Sequence, residues 1–121
     1  MEQIRTFPGE KTFDGIYTSV WDHRDEIAKL GGVWLFAAGD TIGKEGFVTH
    51  QQLLTLVHDY NCKLGWHTWS HPDLRRLQDD EVRRELDAPD WCPRDAIAYP
   101  YGDFDDRIVG LVKEAGYGKA Y

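Results

Sequence analysis

Two histidines stand four residues apart in the segment His67-Thr68-Trp69-Ser70-His71-Pro72. Imidazole is the commonest neutral side-chain ligand for borderline divalent metals, and one turn of chain can aim two such rings at a single ion. The segment is not the HExxH pattern of metalloproteases, because Thr68 follows the first histidine where those enzymes carry their glutamate base. An HxxxH spacing also arises by chance, so the pair by itself leaves both a metal site and a chemically idle pair open. Two further polar segments accompany it: Thr12-Phe13-Asp14 upstream, which offers a carboxylate, and Tyr99-Pro100-Tyr101-Gly102 downstream, which reads as a turn.

These segments need a scaffold, and the apolar periodicity supplies one. Residues 18–30 read as a helix with Ser19 as cap, Asp22 three residues on as in a capping box, and Gly31 and Gly32 at its end. Residues 33–38, VWLFAA, form a short apolar run suited to a strand buried on both faces. Thr49 can cap a helix over 50–60 whose stripe is Leu53, Leu54, Leu56 and Val57, and a strand over 63–67 follows. A charged helix over 79–86, a strand over 96–99, a turn at 100–103, a helix over 106–115 and a last strand over 117–121 complete the alternation. Strands alternating with helices predict one α/β domain over residues 1–121 with a parallel sheet, barrel-like or open. In such sheets ligands gather where strands end, and Asp14, His67 to His71 and residues 100–103 all follow strands, so the three segments share one face.

Composition narrows the partners. A net charge of −7, with no basic run longer than Arg75-Arg76, repels phosphate backbones and anionic lipid, which argues against nucleic acid and membrane surfaces. The first thirty residues hold no signal-like apolar run, and no stretch of roughly 18 apolar residues exists to insert in a bilayer, so export would need another route. Cys62 and Cys92 lie in no CxxC spacing and read as free buried thiols. His23, His50 and His58 fall on helices away from the strand ends. The loop over 39–46 lacks the GK[ST] ending of a phosphate loop and reads as a connection. Asp105 and Asp106 read as helix-capping acids.

In order and spacing the three segments together resemble the motifs of the polysaccharide deacetylases, the NodB-homology or carbohydrate esterase family 4. The likeness continues through residues 47–56 and through 108–117 with Glu114-Ala115-Gly116-Tyr117. It implies a partial or distorted (β/α) barrel lacking the C-terminal part of the usual one. It further implies a metal-dependent deacetylase acting on N-acetylglucosamine-type acetylated polysaccharide. The divalent ion would be zinc, with cobalt or nickel as alternatives, held by His67 and His71. Asp14 would be the catalytic base, and the Tyr101 backbone N–H would be an oxyanion donor. Pro100 and Tyr101 would be substrate contacts; of the two tryptophans flanking the histidines, Trp66 lies inside a strand and reads as core, while Trp69 lies in the loop and suits either stacking on a sugar ring or packing.

The sequence departs from that pattern in three ways. The family's first motif is Thr-Phe-Asp-Asp-Gly, a base followed by a metal ligand, and only one Asp is present. A gap-free alignment makes Asp14 the base, puts Gly15 at the ligand position and matches Tyr17 and Ser19; deleting one residue instead makes Asp14 the ligand with no base. The Arg expected two residues before Pro100 is Ala98. The family's last motif, whose His serves as general acid, is not among these residues, which suggests a homo-oligomer or larger assembly to complete the site. A second reading is a catalytically impaired glycan-binding or structural module of the same fold.

Overall fold

The structure is a computed structural model that describes residues 5–7 and 10–121. Six strands lie in sequence order in one sheet: β1 (Arg5–Phe7), β2 (Glu10–Asp14), β3 (Trp34–Ala37), β4 (Lys63–Trp66), β5 (Ala96–Ile97) and β6 (Lys119–Ala120). The last five run parallel and alternate with helices in a curled half-barrel, as the sequence predicts; β1 adds an antiparallel pairing that the sequence analysis does not anticipate.

Strand parity explains how the sheet serves two faces. Successive side chains point to opposite sides, so Phe13, Leu35, Ala37, Leu64, Trp66 and Ile97 enter the main core. Trp34, Phe36, Ala96 and Ala98 form a second buried cluster, against which Tyr121 packs. Gly65 admits this second cluster, because a Cβ there would stand 2.4 Å from the Phe36 ring. The helices α3 (His50–Asp59), α4 (Asp79–Leu86) and α5 (Asp106–Glu114) cover the main core through Leu53 and Leu56, Val82 and Leu86, and Ile108, Leu111 and Val112. Thr49 caps α3 in a full capping box with Gln52, and Asp105 caps α5 through the Ile108 N–H at 2.9 Å; caps of this kind contribute about 1 kcal/mol each. Both cysteines are buried and free, as expected.

The helix expected over residues 18–30 is instead broken. Thr18–Asp22 and Arg24–Leu30 form α1 and α2, separated at His23, whose φ of −105° and ψ of 22° leave the helical region and whose ring Nδ1 lies 2.9 Å from the Ser19 carbonyl oxygen. The expected cap at Ser19 is also corrected. The chain enters the helix two residues earlier, at Tyr17, because a bridge between Tyr17 and Phe47 and a bond from the Thr18 N–H to the Gly46 carbonyl (2.9 Å) fix the entry point. Arg24 then ties α2 to α3 through the Tyr60 hydroxyl at 3.1 Å. No helix among the described residues is long and apolar enough to cross a membrane.

Candidate active site

Parity also decides which polar residues meet. Asp14 pairs in register with Phe36, and Phe36 with Gly65, so Asp14 and, two residues beyond Gly65, His67 project from the same side of the sheet. There they line a cavity of about 210 Å³ with His71 and Gly15, walled by Tyr17, Ala38, Thr41 and Phe47. Asp14 is half-buried and His67 buried, while the His67 and His71 rings meet edge to face with centroids 4.6 Å apart.

His67 is held by its main chain and its ring. Its N–H bonds to the Ala37 carbonyl at 2.8 Å, and its Nδ1 lies 2.9 Å from the Ala98 carbonyl oxygen. A carbonyl only accepts, so Nδ1 carries a proton, which turns Nε2 away from Ala98, the orientation that carbonyl partners impose on metal-binding histidines. His71 is reached through a tight loop in which Thr68 and His71 itself both adopt left-handed backbone (φ 65° and 59°), and its N–H bonds to Thr68 Oγ1 at 3.1 Å. The loop carbonyls of Thr68 and Trp69 accept from Gly39 and Asp40, each at 2.9 Å.

The downstream turn arrives at the same place. Residues Pro100–Gly102 form a single 3-10 turn in which Tyr101 is left-handed (φ 60°, ψ 6°), and the Tyr101 ring packs edge to face on His71 at 4.6 Å. Pro100 is buried beneath the turn, and Tyr101 is 65% exposed. Arg75 links the two loops: its guanidinium reaches Asp73, just after His71-Pro72, and Asp103, just after the Tyr101 turn, at 3.1 Å each. The hydrogen bond from Arg75 holds the Asp73 carboxyl below the usual carboxylate range.

Trp69 is not part of the cavity lining. Its ring meets Trp66 edge to face at 4.9 Å, and its Nε1 donates to the Asp87 carbonyl at 3.0 Å. The structure therefore brings Asp14, His67 and His71 to one cavity, with Tyr101 packed against His71 and Trp69 against Trp66. A larger hollow of about 360 Å³ between α4 and α5 has two of its three arginines engaged already, Arg94 by Asp87 at 2.6 Å and Arg83 by Glu114 at 3.6 Å. Sequence reasoning gave no role to Thr41 or Phe47; the only signal for Phe47 was its place in the stretch resembling the family.

The residues present fit a divalent cation in part. Two imidazoles face the cavity, one with its Nδ1 bonded to the Ala98 carbonyl, but among the described residues no group of three His, Cys, Asp or Glu side chains is placed to hold an ion. Gly15, at the position where the gap-free alignment puts a second carboxylate, contributes no donor.

The fold and site define a class: a curled parallel α/β half-barrel whose strand ends gather a carboxylate and paired imidazoles. Comparison with known proteins gives the family. The family model described as polysaccharide deacetylase matches residues 12–120, and the chain belongs to that family. A deacetylase from Streptococcus pyogenes, solved with acetate, superposes with a TM-score of 0.80 at 21% identity, covering 88% of this chain and 52% of that one. A pseudoenzyme of carbohydrate esterase family 4 from Bacillus anthracis superposes with a TM-score of 0.70 at 22% identity over 90% of this chain and 41% of that one. Chitin deacetylase 1 of Cryptococcus neoformans is 28% identical over 76 residues, 57% of this chain and 16% of that protein. The chain thus spans about half of the first of these structures and less of the other two relatives. Deacetylases of this family are hydrolases acting on C–N bonds and generally use a divalent metal.

Proposed function

We propose that this chain is a deacetylase-like hydrolase of acetylated polysaccharide of the N-acetylglucosamine type. The observation that carries the reading is the convergence of Asp14, His67 and His71 on one cavity at the strand ends. His67 and His71 would hold a divalent cation, zinc foremost, and that ion when bound would supply Lewis-acid polarisation of the acetyl carbonyl. Asp14 takes the proton from the attacking water, and the Tyr101 main-chain N–H steadies the oxyanion. The buried His67 ring turns Nε2 toward the cavity because Nδ1 is bonded to the Ala98 carbonyl. Tyr101, with most of its ring exposed, offers a sugar the larger contact surface, while Trp69 offers what remains of its ring beyond Trp66. The general acid for the leaving amine would come from a partner copy in a homo-oligomer or larger assembly, or from a further segment of the protein.

A second reading, a catalytically impaired glycan-binding or structural module, has specific support. Gly15 stands where the gap-free alignment needs a metal carboxylate, and Ala98 where the family carries its Arg. A pseudoenzyme of the family shares the fold. Acetate release from acetylated glucosamine oligomers separates the two: the hydrolase releases acetate, and Asp14→Asn lowers kcat/KM by about 100-fold or more. Sugar binding with no acetate release from the wild type would sink the first reading in favour of the second.

A further inference from the structure

We propose that Glu85, on α4 and outside all three motifs, positions the two histidines by clamping the loop between them; the inference rests on the hydrolase reading only for its kinetic consequence. The loop is conformationally expensive, because Thr68 and His71 are non-glycine residues with left-handed backbone at either side of Trp69 and Ser70. Something must hold it. The main-chain N–H groups of Trp69 and Ser70 both donate to Glu85 Oε1 at 2.9 Å, and the Ser70 hydroxyl donates to Oε2 at 2.8 Å. One carboxylate thereby satisfies two consecutive main-chain donors and a side chain in a four-residue span, with charge-assisted bonds about twice as strong as neutral ones.

The clamp has a rigid base. Glu81 completes a capping box with Gln78 at the start of α4, and Val82 and Leu86 are fully buried. The same helix end holds both neighbouring indoles, since Trp66 Nε1 donates to the Glu85 carbonyl at 2.9 Å and Trp69 Nε1 to that of Asp87. The position of α4 is thus transmitted through Glu85 to the loop, and through the loop to the separation of the two rings. Removing the carboxylate leaves the main-chain bond to Trp66 in place, so the loop can be loosened without removing the helix.

The test compares wild type, Glu85→Ala, Glu85→Asp and Glu85→Gln by amide hydrogen exchange and by the nuclear Overhauser contact between the His67 and His71 rings. Glutamine keeps an acceptor at the same reach, and the Ser70 hydroxyl can reverse to accept from its amide; aspartate keeps the charge but withdraws it by one methylene. Exchange at Trp69 and Ser70 is expected to quicken by about tenfold or more in Glu85→Ala and Glu85→Asp, with loss of the ring contact, and to stay within about threefold of wild type in Glu85→Gln. Where the wild type releases acetate, kcat falls by about tenfold or more in the first two variants with KM nearly unchanged, and glutamine restores it. Unaltered exchange and ring contact in Glu85→Asp, or glutamine behaving as alanine does, would overturn the clamp. A wild type that releases no acetate counts against the hydrolase reading alone, and the exchange data still decide the clamp.

Discussion

His67 Nδ1 lies 2.9 Å from the main-chain oxygen of Ala98, the position at which the family resemblance leads one to expect an arginine. The side chain that the motif lacks is gone, yet the backbone at that point still orients the histidine. The relationship predicts that His67 Nδ1 carries a proton. Long-range nitrogen–proton correlation spectra would check this, and an Nδ1 without a proton would contradict it.

Gly39 is fixed by the loop it supports. A Cβ at this position would fall 2.3 Å from the Trp69 ring and 2.5 Å from that of Trp66, both packed on α4. Gly39→Ala is therefore expected to destabilise the fold by about 1 to 3 kcal/mol, the usual range for overpacking, measured by urea unfolding. A change within experimental error would mean that the indoles yield easily.

Placing a carboxylate at residue 15 is expected to need two changes. Gly15 has a φ of +87°, and a Cβ there would stand 3.1 Å from the Tyr17 ring, itself stacked on Phe47 at 4.7 Å. Gly15→Asp alone is expected to destabilise by about 1 to 2 kcal/mol. Its zinc affinity, measured by titration calorimetry, should rise clearly only when combined with Tyr17→Ala. Equal affinities for the single and double variants would show that Tyr17 is no obstacle.

The buried thiols make stability fall in alkali. Burial pushes Cys62 from the ordinary 9.0 up to about 11 and Cys92 up to about 12. The unfolded thiols deprotonate first, so the folded state holds more protons above pH 9.0, and the stabilisation present below that value is lost as pH rises toward the folded values. Tyr99 and Tyr117 are likewise raised by burial from 10.0, so the thiol effect is best read between pH 9 and 10. There unfolding free energy is expected to drop by about 2 kcal/mol at most, and the Cys62→Ala/Cys92→Ala variant should show a flatter profile. An unchanged slope in that variant would assign the loss elsewhere.

Much of this arrangement was legible in the sequence because it is local. Asp14 and His67 each stand just past a strand and so come to the same end of the sheet, Thr49 caps α3 as its position suggests, and Asp105 caps α5. What escaped is non-local. The helix entry at Tyr17 is fixed by Phe47, thirty residues away, and the cavity wall of Tyr17 and Phe47 has the same origin. The three bonds from the loop to Glu85 depend on how α4 packs, which no spacing rule encodes.

The most direct measurement is anomalous scattering at the zinc edge from crystals soaked in the metal. The account predicts one dominant peak about 2.0 to 2.1 Å from ring nitrogens of both His67 and His71, on the side facing Asp14, and its loss in His71→Ala. A peak bound to other side chains, or no peak within reach of these two rings, would contradict it.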